Sequence, residues 1–166
     1  LQVEDIQEVI LGCVLPAGLK QGPARQAMRL AQIPDAVGAT TINKICGSGM
    51  KAIMQVSDAI RAESIDIAIA GGMESMSNSP YLLGKARSGY RMGHGEIKDH
   101  MFMDGLEDAE TGRSMGTFAQ GTANDKGYSR EDMDQFAIRS LKRAQHAVEQ
   151  GYFNAEIAAV EVKSRK

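Results

Sequence analysis

The chain has 166 residues, of which 43% are hydrophobic and 24% are charged; this balance suits one domain of ordinary size and excludes a disordered tail or a fibrous repeat. Its 19 basic and 21 acidic residues leave a formal net charge of −2, which excludes a general basic field for nucleic acid or an anionic membrane. The sequence holds no apolar run of about 18 residues. We therefore expect neither a membrane span nor a nucleic-acid partner.

The cysteine content and the chain ends indicate in which cellular compartment the protein lies and whether it is part of a longer protein. Cys13 and Cys46 are too few for a disulfide framework, which favours a reducing compartment and predicts a cytoplasmic location. Because the chain starts with Leu and ends on the charged segment 161–166, we expect a piece of a longer protein. An organellar targeting signal in that longer protein is left open.

The first 76 residues alternate strand-like and helix-like segments. Short apolar or β-branched runs predict three strands, at residues 8–15, 39–45 and 65–70. One helix begins at Pro23 and ends before Pro34, and a second spans about residues 47–62. In the second helix, apolar side chains recur at helical spacing: Met50, Ile53, Met54 and Ile60. The alternation predicts the α/β class, with a βαβαβ core around a parallel sheet.

The composition changes after Met76, so we divide the chain into residues 1–76 and 77–166. Residues 77–108 are rich in glycine, serine, histidine and charge, and a loop of that length indicates a function.

Further elements are predicted beyond this loop. One helix covers about residues 113–126, and another starts after Ser129, where Asp132 completes a capping pattern. Residues 158–163 are interpreted as a last strand.

The most informative stretch is residues 43–52, where a predicted strand becomes a helix. Cys46 then lies at the carboxyl end of a parallel strand, where open α/β sheets bind ligands. The free N–H groups of the first helical turn and the helix dipole favour a thiolate there. The small residues Gly47, Ser48 and Gly49 allow close approach of a ligand and a sharp turn. The pattern predicts a cysteine nucleophile in a strand-to-helix elbow.

Two other interpretations of this cysteine stay open at this point. A lone cysteine is often a buried small hydrophobic residue. The pattern Gly47-x-Gly49-x-x-Ala52 also fits a dinucleotide-binding fingerprint, because it follows a strand and opens a helix. That fingerprint needs an acid at the end of the next strand, and neither Asp66 nor Glu74 is convincingly placed for the role.

Residues 71–76 end the next predicted strand and are expected beside Cys46. They form either a backbone wall of the site or a simple strand-ending turn. Glu74 is either a buried general base or a solvated turn residue.

Other acid–base and metal-binding candidates are weak. Nothing in the sequence brings His94, His100 or His146 to the thiol. No metal site is predicted, because the sequence shows no cluster of cysteine and histidine and no closely spaced set of histidines and carboxylates.

Residues 43–52 resemble the nucleophile motif of the thiolases, and residues 70–77 resemble the second signature of that family. The likeness covers essentially the whole chain and includes shorter matches at residues 8–12, 15–18, 23–27, 104–106, 115–117 and 129–131. Among thiolases, the chain is most similar to the acetyl-CoA acetyltransferases. Ketoacyl synthases also use a cysteine at such an elbow, but the Gly-Gly-Met-Glu-Ser-Met segment favours a thiolase.

The resemblance implies a five-layered α/β/α/β/α subunit of two similar halves, with a loop domain inserted in the first. Residues 1–76 are then the N-terminal core without its first strand, and residues 77–166 are part of the CoA-binding loop domain. No cofactor is bound permanently, since a coenzyme A thioester is the substrate. Homodimers joined into homotetramers are expected.

The resemblance also implies the reaction. Cys46 accepts an acetyl group from acetyl-CoA, with its backbone N–H in the oxyanion hole. A Claisen condensation with a second acetyl-CoA gives acetoacetyl-CoA, and thiolysis is the reverse. Leu106 and Met115 match residues that line the pantetheine pocket, and Ser114 stands where many biosynthetic members have histidine. The activating histidine and the second cysteine are expected beyond Lys166, so these residues alone should not turn over. The alternative is a non-catalytic thiolase-like protein.

Overall fold

The computed structural model describes residues 1–162 and divides the chain into two compact units. The first unit is Leu1–Met115, and the second begins at Gly116. A boundary between compact units does not have to coincide with the point where one domain is inserted into another. The domain boundary expected after residue 76 therefore stays a prediction.

A three-stranded parallel sheet forms the centre of the first unit. Its strands are β1 (Glu8–Gly12), β2 (Gly38–Ile42) and β3 (Ala68–Gly72), in the order β2-β1-β3. Helix α1 (Pro23–Leu30) joins β1 to β2, and helix α2 (Ser48–Arg61) joins β2 to β3. Glu8 pairs with Gly38 on one side and with Ala68 on the other. The βαβαβ core predicted from the sequence is confirmed.

The sheet is covered by one helix on each face, because successive strand residues point to opposite sides. On the α1 face, Val9 packs with Met28 and three further buried side chains: Ile6, Ile33 and Val37. On the α2 face, Ile10 packs with Ala52 and Val56. Burial on both faces accounts for the nearly continuous apolar run of β1.

Helix α2 buries small residues and exposes large ones. Its buried positions are Ser48, Ala52 and Val56, which recur every fourth residue against the sheet. Met50 and Ile53, whose spacing predicted the helix, are 71% and 56% exposed. The large apolar stripe of α2 therefore faces away from its own sheet.

The first strand ends earlier than predicted. It was expected to reach residue 15, but β1 stops at Gly12. The N–H groups of Val14 and Leu15 donate to the Glu74 carboxylate at 2.8 and 2.9 Å instead of entering a strand ladder. A side-chain acceptor therefore ends the strand.

Side-chain acceptors also set the ends of the other two strands. β2 stops before Asn43, whose Oδ1 accepts the N–H of Ile45 at 2.9 Å. The strand predicted at residues 65–70 is shifted to Ala68–Gly72. There Oε1 of Gln7 accepts the N–H groups of both Asp66 and Ile67.

The long loop after β3 contains short regular elements that no sequence period revealed. They are a 3₁₀ turn at Met76–Asn78, strands β4 (Tyr81–Leu82) and β5 (Lys98–Asp99), and a π-helical turn at Phe102–Leu106. The two strands pair antiparallel, with Tyr81 opposite Asp99.

Two helices follow, α3 (Met115–Lys126) and α4 (Arg130–Glu149). Ser129 caps α4 as predicted, since its side chain accepts the N–H of Asp132 and the Asp132 carboxylate accepts the Ser129 N–H. Several large apolar side chains of α4 are exposed in the described residues, among them Phe136, Leu141 and Val148.

The strand predicted at 158–163 is wrong for residues 158–162, which form no regular element; Lys163 lies outside the described residues. Over residues 1–162, the structure contains no helix with the length and apolar character that crossing a bilayer requires.

Candidate active site

Cys46 lies in the turn between β2 and α2, and its thiol is free and exposed. The turn leaves the carboxyl edge of the parallel sheet, where the sequence predicted it. The interpretation of Cys46 as a buried small hydrophobic residue is therefore wrong.

The sharp turn before Cys46 is made by Ile45 and not by the neighbouring glycines. Ile45 has a φ of +49°, in the left-handed region that a β-branched residue adopts only under strain. Such a conformation costs on the order of 1–3 kcal/mol and persists only when surrounding contacts hold it. Here the Ile45 N–H donates to Asn43 Oδ1 at 2.9 Å, and the Ile45 carbonyl accepts the Ser48 N–H at 3.0 Å. We call residues 43–48, which include these contacts, the Cys46 elbow.

The glycines around the elbow allow backbones to pack closely. A Cβ added to Gly12 would stand 2.5 Å from the carbonyl carbon of Ser48. A Cβ added to Gly72 would stand 3.2 Å from the Cα of Gly49. The first turn of α2 therefore rests directly on the carboxyl ends of β1 and β3, which fixes the helix end that follows Cys46.

Glu74 is exposed, so the interpretation as a buried general base is wrong, but its carboxylate is held by hydrogen bonds and not only by solvent. One carboxylate oxygen, Oε2, accepts the Val14 N–H, and the other, Oε1, accepts the Leu15 N–H. The Cys13 thiol also donates to Oε1, at 3.6 Å. Glu74 therefore ties the end of β3 to the loop after β1.

Cys13 differs from Cys46 in its surroundings. It is 1% exposed, at the end of β1. Burial raises the pKa of the Cys13 thiol, and the negative charge of Glu74 raises it further. Cys13 is therefore held as an inert neutral thiol, which leaves Cys46 as the reactive candidate of the two.

The acids proposed for a dinucleotide site do not fit that role. Asp66 precedes the first residue of β3, so it lies at the amino edge of the sheet, opposite the Cys46 elbow. The Glu74 carboxylate is occupied by two backbone N–H groups. Neither acid is placed to bind a ribose beside Gly47 and Gly49.

Leu106, Ser114 and Met115 meet at the neck of one hairpin. An isolated antiparallel bridge pairs Glu107 with Ser114, so Leu106 and Met115 flank the same pair. The predicted pantetheine-lining residues are therefore neighbours, whereas Cys46 belongs to a different loop.

Asp108 closes this hairpin. Its carboxylate accepts the hydroxyl and the N–H of Thr111 at 2.6 and 2.8 Å. These two hydrogen bonds hold the pKa of Asp108 below its ordinary value.

The three histidines occupy different surroundings. Buried His100 bonds Asp104 through Nδ1 at 2.6 Å and accepts the Ala17 N–H at Nε2. His94 lines a cleft of about 480 Å³ beside the β4–β5 hairpin, and His146 contacts Tyr152. Among residues 1–162, no group of three or more metal-ligating side chains is arranged to hold an ion.

A family model for the thiolase N-terminal domain matches residues 1–166. The chain belongs to the thiolase family.

Individual relatives agree with this assignment. The chain is 47% identical to an acetyl-CoA acetyltransferase of Allochromatium vinosum over 166 residues, which are 100% of this chain and 42% of the relative. It is 46% identical to the acetyl-CoA acetyltransferase of Escherichia coli K12 over 164 residues, 98% of this chain and 42% of that protein. The chain thus spans about 42% of the length of these two curated relatives.

A solved thiolase shares the fold. The Acat5 thiolase of Ascaris suum, crystallised in complex with coenzyme A, superposes with a TM-score of 0.91 at 39% identity. The match covers 96% of this chain and 41% of that one. The α/β thiolase fold predicted from the sequence is confirmed.

Sequence reasoning missed three features of this thiolase site: the packing role of Gly12, the hydrogen bond from Asn43 Nδ2 to the Val14 carbonyl at 3.3 Å, and the clamp made by Glu74. The signal for the first was present, because Gly12 ends an otherwise bulky apolar strand. The other two depend on contacts between loops far apart in sequence, which periodicity does not report.

Proposed function

We propose that the full-length protein is an acetyl-CoA acetyltransferase that carries the acetyl group on Cys46. The observation that carries this proposal is an exposed thiol in a thiolase strand-to-helix elbow, at the carboxyl edge of the sheet. The names of the relatives and the coenzyme A complex of the Ascaris thiolase support a CoA thioester as substrate.

The first half-reaction is acetyl transfer to the thiolase. The Cys46 sulfur loses its proton to a base and attacks the thioester carbonyl carbon of acetyl-CoA. The tetrahedral intermediate collapses, the bond to the CoA sulfur breaks, and the CoA thiolate leaves and takes a proton. An acetyl thioester on Cys46 results.

The second half-reaction forms the carbon–carbon bond. A second acetyl-CoA loses a methyl proton, and the resulting carbanion attacks the acetyl carbonyl carbon on Cys46. The Cys46 thiolate is released, and acetoacetyl-CoA is the product. Thiolysis runs through the same intermediate, with CoA as the attacking thiol.

The described residues supply nucleophile placement and charge stabilisation. Helix α2 starts at Ser48, two residues after Cys46, so its positive end faces the developing oxyanion. The Cys46 N–H is the proposed donor to that oxyanion. Close packing of Gly12 and Gly72 against the first turn of α2 holds this helix end in place.

The remaining groups belong to other parts of the protein. Leu106 and Met115 are proposed to line the pantetheine channel, and Ser114, which directly precedes Met115, is proposed to contact the substrate there. The activating histidine and the second cysteine, which deprotonates the methyl carbon, are proposed to lie beyond residue 166. A homodimer or homotetramer and a cytoplasmic location stay predictions.

The test is turnover by the full-length protein with acetoacetyl-CoA and CoA. Cys46→Ala is expected to lower kcat by roughly a thousandfold or more, because it removes the nucleophile. Cys13→Ser is the matched control and should keep kcat within about threefold, since Cys13 is buried and a hydroxyl in its place can still donate to Glu74. Wild-type turnover by Cys46→Ala would overturn the proposal.

A further inference from the structure

The loop that follows β1 is held from two sides at Val14. Its N–H donates to Oε2 of Glu74 at 2.8 Å, and its carbonyl accepts Nδ2 of Asn43 at 3.3 Å. Glu74 belongs to the segment after β3, and Asn43 belongs to the Cys46 elbow. Val14 therefore links the ends of all three strands of the sheet.

Asn43 carries this link to the strained residue before the nucleophile. While Nδ2 of Asn43 donates to Val14, its Oδ1 accepts the Ile45 N–H at 2.9 Å. Ile45 holds a φ of +49° and immediately precedes Cys46. A strained backbone of this kind relaxes when its external contacts are lost.

We propose that Glu74 is a positioning residue for Cys46, acting through Val14 and Asn43 to hold Ile45 in its left-handed conformation. This inference rests on the proposed function, because it assigns a role relative to the Cys46 nucleophile. It goes beyond that function in giving Glu74 an indirect role, since its carboxylate touches Val14, Leu15 and Cys13 and not the reacting atoms.

A carboxylate is suited to this role because it offers two acceptor oxygens to two adjacent N–H groups. Val14 and Leu15 each use one oxygen. A glutamine at position 74 keeps the size but offers only one acceptor, and it turns an N–H group toward a backbone donor. An aspartate keeps both acceptors on a shorter side chain. Glu74→Gln keeps the size of the side chain, and Glu74→Asp keeps its charge and both acceptor oxygens. Comparison of the two variants therefore shows whether the role of Glu74 depends on charge and acceptors or only on side-chain volume.

The experiment uses the full-length protein and two independent readouts. The first is the kinetics of acetyl transfer, in which a misplaced nucleophile lowers kcat more than it raises KM. We expect Glu74→Gln to lower kcat about tenfold or more with KM within about threefold, and Glu74→Asp to recover part of the loss. Glu63→Gln, just beyond the C-terminal end of α2, is the matched control and should behave as wild type.

The second readout is hydrogen exchange of the peptide that contains residues 43–48. It does not depend on acyl chemistry. Glu74→Gln is expected to speed exchange there at a global melting temperature close to wild type. Wild-type exchange in this peptide together with wild-type kcat would overturn the proposal. Failure of wild type to acetylate Cys46 would instead overturn the proposed function, while the exchange result would still decide the role of Glu74.

A double-mutant cycle tests whether Glu74 acts on Cys46 through Asn43. Asn43→Asp keeps the acceptor for Ile45 but removes the donor to Val14. If Glu74 acts through Asn43, Glu74→Gln adds little to the kcat loss of Asn43→Asp; additive losses would overturn the route. If Glu74→Gln does not fold, Asn43→Asp alone decides, since wild-type kcat and exchange in that variant contradict the proposal.

Discussion

Gly72 and Gly49 lie backbone against backbone, and a Cβ on Gly72 would stand 3.2 Å from the Gly49 Cα. This contact joins the end of β3 to the first turn of α2, directly after Cys46. A side chain on Gly72 would push the helix end away from the sheet, so the close approach depends on this glycine.

Substitution of Gly12 or Gly72, the glycines that end β1 and β3, should therefore destabilise the protein. Gly12→Ala is expected to cost more than Gly72→Ala, because its Cβ would meet Ser48 backbone at 2.5 Å. Overpacking of this kind costs about 1–3 kcal/mol, measured as a loss in the free energy of unfolding. The control is Gly38→Ala in β2, where a Cβ meets nothing within 4 Å. Equal stability of all three variants would contradict the packing described here.

The two cysteines should differ sharply in alkylation by iodoacetamide. In the native full-length protein, Cys46 is expected to react much faster than Cys13, since Cys46 is exposed and Cys13 is buried. The raised pKa of the Cys13 thiol keeps it protonated at neutral pH. The alkylation rate of Cys13 should therefore stay low until the pH exceeds 9.0, the ordinary pKa of a cysteine thiol. Mass spectrometry of the labelled peptides measures both rates. Equal, slow labelling of both cysteines would contradict the nucleophile assignment.

Thr111→Val should raise the pKa of Asp108 toward its ordinary value of 3.8, because it removes the hydroxyl that bonds the carboxylate. The folded-state pKa of Asp108 lies below the unfolded value. Its hydrogen bonds therefore stabilise the protein above the unfolded pKa, and this contribution is lost as the pH falls through the folded pKa. A carboxyl-carbon NMR titration measures the shift. Thr122→Val, which removes a hydroxyl bonded to the Phe118 carbonyl, should leave Asp108 unchanged.

The sequence predicted the order of core elements well because burial on both sheet faces imposes a readable pattern. Strands and helices alternate as expected, and Pro23 and Ser129 mark helix starts in the structure. The position of Cys46 in a strand-to-helix turn was also predicted, because it depends only on the order of neighbouring elements along the chain.

Strand ends were predicted less well, for one physical reason. In each strand, a side-chain oxygen takes N–H groups that the apolar pattern assigned to the ladder: Glu74 after β1, Asn43 after β2 and Gln7 before β3. Glu74 and Gln7 act across 59 to 61 positions of sequence, so a window along the chain does not detect them. The same distant contacts explain why the Glu74 clamp was missed.

Acetylation of Cys46 is tested by incubating the full-length protein with acetyl-CoA, quenching in acid and locating the acetyl group by peptide mass spectrometry. We expect an acetyl thioester on Cys46, absent in Cys46→Ala and retained in Cys13→Ala. An unmodified Cys46, or acetylation that persists in Cys46→Ala, would contradict this expectation.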